Sequence, residues 1–128
     1  MIEDREEKQR KKKEFKARLY RFILELIKFI NQLPRNQVTK VINDQLLRSS
    51  TSILANYIEG LSASSKKEFL VFIQHSLKSA NESKVWIALL RDAGYTEKQR
   101  ADFFLKELEE ISKIFASTIL TLRSKKSI

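Results

Sequence analysis

Only three residues in this 128-residue chain can end a helix by backbone chemistry alone: Pro34, Gly60 and Gly94. Two glycines and one proline leave too little turn chemistry for a sheet, whose strands need frequent reversals. Long helices with few connections are the arrangement that such a sequence allows. The three breakers divide the chain into four segments joined by short connections. The expected fold class is therefore all-α, an up-down-up-down antiparallel four-helix bundle.

Each segment carries its own signal. Residues 1–33 read as one helix, ended by Pro34, which pushes the preceding residue out of the α region. Up to Glu14 this helix is almost wholly charged, with acids four residues ahead of bases (Asp4 and Lys8, Glu6 and Arg10, Glu7 and Lys11). From Phe15 onward Leu19, Phe22, Ile23, Leu26, Ile30 and Leu33 recur at helical spacing, widened by Leu24, Ile27 and Phe29. A second helix runs from about Pro34 to Glu59, with Asn36 as N-cap, Val38, Val41, Ile42 and Leu46 facing inward, and Gly60 as a left-handed C′ residue. Ser65 and Glu68 form a capping-box pattern that opens a third helix to Asp92, closed by Gly94. Its apolar face is Phe69, Phe72, Ile73, Leu77, Ala80, Ile87 and Leu90. Thr96 and Gln99 repeat the box for the fourth, where Phe104, Leu108, Ile111, Phe115, Thr118 and Leu122 keep heptad-like steps. The expected organisation is a charged helical extension at 1–14, a bundle domain at 15–122 and a basic tail at 123–128.

Composition excludes several functions. Without cysteine there is no disulfide, thiolate metal site or cysteine nucleophile, and the usage suits a cytoplasmic protein. The N-terminal residues lack the apolar core of a secretory signal, and the apolar run Phe22–Ile30 is short and broken by Glu25 and Lys28, so no membrane span is expected. A net charge of +9 points to an anionic partner.

The second helix then breaks its own rule. In QLLRSSTSILANYIEG, Gln45 to Gly60, positions that ought to be large and apolar hold Gln45, Ser49, Ser52 and Asn56 on one face, with Arg48, Ser52, Ala55 and Glu59 beside them. The third helix is similarly small or polar at Ser76, Ser79, Ala80, Glu82 and Ser83. Small residues allow the two helices to approach closely. Gln45, Arg48, Ser52, Asn56, Glu59, Ser79 and Glu82 are expected to form a structural polar network, including a buried Arg48–Glu82 pair. The competing reading makes the cluster a ligand site.

Enzyme readings find little support. His75, the one histidine, has no cysteine to activate, and no arginine stands four to six residues before it. Position 72 is Phe, so the Glu-x-x-His pattern of bundle metal sites is absent, and two glycines cannot build a phosphate loop. No catalytic residue, metal or cofactor is expected. Trp86 and the eight phenylalanines are core-forming at this spacing rather than base-stacking platforms.

Topology makes the basic residues informative. In an up-down-up-down bundle the start of helix one, the second connection and the end of helix four share a pole. That pole collects Lys11, Lys12, Lys13, Lys16 and Arg18, with Lys66 and Lys67, and with Arg123, Lys125 and Lys126. Contact with RNA or DNA is the expectation. The alternatives are a solvated charged surface and a protein-interaction scaffold.

The Gln45–Gly60 stretch resembles the QlrRAatSIaaNIaEG signature of the bacterial four-helix bundle proteins, the 23S rRNA intervening-sequence protein or S23 family. The similarity continues through Ser65–Phe69, Ser76–Glu82 and Gly94-Tyr95, and spans about residues 15 to 122. Ser49, where the family often has Ala, and Tyr57, where an aliphatic is usual, depart from it. The resemblance implies a four-helix bundle assembling as a homopentamer. It also implies similarity to the accessory protein of diversity-generating retroelements, which binds nucleic acid and a reverse transcriptase.

Overall fold

The structure, a computed structural model, describes residues 2–126 and the side chains of 4–124. Four helices account for nearly all of it: α1 (Ile2–Asn31), α2 (Gln37–Leu61), α3 (Lys66–Asp92) and α4 (Lys98–Lys126). Cross-helix partners run in opposite chain directions. Ser49 meets Ser83 while Ser52 meets Ser79, and Phe29 meets Phe104 while Phe15 meets Phe115. The fold is the expected antiparallel up-down-up-down bundle.

The ends of the helices show why the connections are so short. The Asn36 side chain accepts from the amides of Val38 and Thr39, and the Thr39 hydroxyl accepts from the Asn36 amide at 3.0 Å, a reciprocal capping box. The same hydroxyl donates to the Pro34 carbonyl at 2.6 Å, which turns Thr39 inward and buries it. This local lock corrects two expectations. α2 begins at Gln37 rather than near Pro34, and with Thr39 on the inner face Val38 and Val41 lie outward, 48% and 59% exposed.

Ser65 caps α3 by accepting from the Glu68 amide, while Glu68 reaches back past Ser65 to the hydroxyl of Ser64 at 2.8 Å. α4 starts at Lys98, so the N-cap position falls on Glu97 and not on Thr96. Gly94, at φ +81°, closes α3 with a Schellman pair: its amide donates to Arg91 and that of Tyr95 to Leu90.

Gly60 behaves otherwise. It stays helical, and α2 continues one residue further to Leu61 with Ser62 as C-cap. What Gly60 supplies is closeness: an added Cβ would stand 3.1 Å from the Phe72 Cβ and 3.3 Å from the Phe69 ring.

Packing differs from side to side. Between α2 and α3 the residues are small and the Ser76 hydroxyl reaches the Ile53 backbone carbonyl of the facing helix at 3.0 Å. Between α1 and α4 the layer is filled by rings, with Phe104 against Phe29 (centroids 4.9 Å) and Phe22 (5.9 Å). Leu19, Leu26, Leu46, Ile53, Ile87, Leu108 and Ile111 are fully buried between these layers.

Candidate nucleic-acid interface

The α2–α3 seam joins most of the polar residues singled out in the sequence. Arg48 binds the Gln45 side-chain oxygen through both Nε and Nη2 (3.0 and 2.9 Å) and also pairs with Glu82. Glu82 in turn accepts from the Trp86 indole at 2.9 Å. Asn56 donates to the Ser52 carbonyl and hydroxyl, and Ser52 accepts from Ser79 at 3.0 Å.

Two expectations about this network are corrected. The Arg48–Glu82 pair is not buried: Arg48 is 55% and Glu82 33% exposed, so water screens it. Glu59 is exposed on α2 and bonds to none of the network's side chains. The buried centre of the seam is hydroxyl instead. Ser49 and Ser83 share a hydrogen bond at 2.8 Å, and Ser83 also donates to the Ser79 carbonyl at 2.9 Å. The signal for this was the seven-residue step from Ser76 to Ser83, which keeps both on one helical stripe. A seam whose polar atoms satisfy each other serves packing and leaves little for a ligand to bind.

The basic residues gather at the opposite kind of place, an open end. Phe15 of α1, Tyr57 of α2 and Phe115 of α4 meet there, with centroids 5.1 to 6.1 Å apart. Beyond that ring cluster α2 continues only about 6 Å, at 1.5 Å per residue, whereas α1 runs on for about 20 Å and α4 for about 16 Å. Two helices therefore project past the α2–α3 connection. On α1, Lys11 pairs with Glu7 at 3.5 Å and Arg10 lies between Glu7 and Glu14 at 3.9 Å. Lys12, Lys13 and Lys16 are exposed with no carboxylate within 4.0 Å among the described residues, and so are Lys66 and Lys67 at the start of α3. Arg123 is exposed near the end of α4, beside Lys78 of α3. The side chains of Lys125 and Lys126 lie outside the described residues.

Arg18 stands apart from this group. Its guanidinium donates to both Glu107 oxygens at 3.1 and 2.6 Å and to Glu110 at 2.6 Å, clamping α1 to α4. These hydrogen bonds raise the arginine's pKa and hold the Glu107 carboxyl below its usual range. A cation neutralised by two carboxylates has little charge left to offer a phosphate.

His75 is exposed on α3 with no nucleophile or carboxylate bonded to it. No group of three or more His, Asp or Glu able to hold a metal occurs among the described residues, and no described helix is long and apolar enough to cross a membrane.

Comparison with known proteins adds the ancestry. The family model described as 23S rRNA-intervening sequence protein matches residues 11–117. A solved structure from Bacteroides thetaiotaomicron VPI-5482, a protein of unknown function from the S23 ribosomal protein family, is 31% identical. It superposes with a TM-score of 0.76, covering 81% of this chain and 96% of that one. No curated protein matches.

Proposed function

The chain belongs to the 23S rRNA-intervening sequence protein family, and from that premise we propose that it is a non-enzymatic, homo-oligomeric bundle that binds RNA or DNA through its basic end. The observation that carries the reading is convergence. Lys12, Lys13 and Lys16 on α1, Lys66 and Lys67 on α3, and Arg123 on α4 come from three distant segments to one end of the molecule. Most of them lack a carboxylate partner there. Cations without a carboxylate partner, such as Lys12, Lys13 and Lys16 on the projecting α1, displace the counterions condensed on a nucleic acid when they meet its phosphates, which drives sequence-independent binding. Large apolar side chains left outward, among them Val41, Val85, Phe103 and Leu120, support self-association. The homopentamer and a reverse-transcriptase partner belong to the same proposal, through the family resemblance.

A filter-binding titration with duplex DNA and structured RNA at two salt concentrations tests the reading. Affinity should fall steeply with salt, and replacing Lys12, Lys13, Lys66 and Lys67 by Gln should weaken binding and flatten the slope without changing the oligomer mass. Absence of binding to either probe at low salt would leave the protein-interaction scaffold as the better account. Light scattering on the purified protein tests the assembly.

A further inference from the structure

The bundle does not close at its basic end. A cavity of about 320 Å³ opens there, walled by Phe15, Tyr57, Phe69 and Phe115, with Thr118 on one side and Lys11 and Lys12 at the rim. Tyr57 is nearly buried, yet its hydroxyl bonds to no described residue, and burial raises its pKa, so it remains a neutral donor. The Thr118 hydroxyl donates to the Ile114 carbonyl at 2.9 Å, which leaves its oxygen able to accept. The cavity thus combines aromatic walls, one unused donor and one unused acceptor inside, and cations outside.

We infer that this cavity receives one unstacked nucleobase of a strand lying on the basic end, which makes the ligand single-stranded or looped nucleic acid rather than unbroken duplex. The inference rests on the nucleic-acid reading above and narrows it. Bases within a duplex are stacked and paired, so only a splayed base can enter a cavity between helix ends. A base has π faces for the rings and a polar edge for the two hydroxyls, while its flanking phosphates fall to Lys12 and its neighbours. An acyl tail with an acidic head fits the apolar walls and the lysines but strips water from the Tyr57 hydroxyl and gives nothing back.

The test uses the full chain, a short single-stranded DNA and the same strand annealed to its complement, at low salt. The single strand should bind about tenfold more tightly than the duplex. Tyr57→Leu should weaken strand binding about tenfold while leaving duplex affinity and salt slope unchanged, and Tyr57→Phe should lose a smaller part. A thermal melt checks that each variant is folded. A strand bearing 5-iodouracil should cross-link to Tyr57 or Phe69, a readout that needs no variant. Strand binding indifferent to Tyr57, or adducts confined to lysines, overturns the inference and leaves the basic-end reading standing. Absence of binding to both probes overturns the two together. Tyr57-dependent uptake of decanoate, with strand binding untouched, assigns the cavity to an amphiphile and overturns the base-binding role alone.

Discussion

The hydroxyls of Ser49 and Ser83 meet at 2.8 Å in the fully buried centre of the α2–α3 seam, and Ser83 is bonded a second time, to the Ser79 carbonyl. Because of that second bond, Ser49→Ala strands no donor and should lower stability by about 1 kcal/mol or less. Ser83→Leu forces a large side chain between two closely packed backbones and should cost about 1–3 kcal/mol. Urea unfolding of the two variants measures the difference; equal losses would mean that the seam is not tight.

Arg48 and Glu82 form a pair that water reaches. Arg48→Met is therefore expected to cost under about 1 kcal/mol, far less than the roughly 3–5 kcal/mol typical of breaking a buried pair. A double-mutant cycle with Glu82→Gln, repeated in high salt, should give a small coupling that salt reduces further. A coupling above about 3 kcal/mol would show that the pair is shielded.

The two glycines should fail for different reasons. Gly94→Ala meets no neighbour within 4 Å but must hold a left-handed φ, at about 1–2 kcal/mol. Gly60→Ala has no such strain and gains up to about 1 kcal/mol of helix propensity. That gain is offset by contact with the Phe72 Cβ, which is fixed to its own backbone and cannot rotate aside. A net loss of about 1 kcal/mol is expected for Gly60→Ala. Relief of that loss by Phe69→Leu would put the crowding on the ring; no relief would put it on Phe72.

Acid should loosen the α1–α4 clamp. Arg18 holds the Glu107 carboxyl below the ordinary glutamate value of 4.5. The stability linked to that depressed pKa is complete above about pH 4.5 and disappears as the pH falls through the lower folded-state value. Glu107→Gln should therefore be less stable than the unmodified chain at neutral pH, by on the order of 1 kcal/mol. Thermal melts across the acid range should show the two converging as Glu107 protonates. A gap that stays constant into strong acid would mean that the charge is not what matters.

The fold was legible because helix is the only structure that this sequence punctuates, and Asn36, Ser65 and Gly94 act where their chemistry places them. Side-chain direction was harder. Val38 and Val41 looked inward on periodicity alone, but Thr39 takes the inner position through bonds to Pro34 and Asn36 that no hydrophobicity pattern encodes. Gly60 looked like a C′ glycine because such residues end helices, whereas its reason is the nearness of Phe72, a contact between helices. In the candidate site, topology puts Lys12, Lys13, Lys16, Lys66 and Lys67 near one end of the bundle. The neutralisation of Arg18 depends on carboxylates 89 and 92 residues away, and sequence spacing carries no sign of them.

The contrast between the serine-lined and ring-filled sides has a kinetic consequence. Bonds across α2–α3 join residues only 23 to 34 positions apart, whereas the Arg18–Glu107 contact closes a loop of 89. Loop-closure entropy favours the shorter circuit, so the α2–α3 hairpin should form first and α1 should dock last. Substitutions at Ser76 or Ile53 should slow folding, while those at Arg18 should chiefly speed unfolding. The arm that carries most of the basic end would then be the last part of the chain to find its place and the first to leave it.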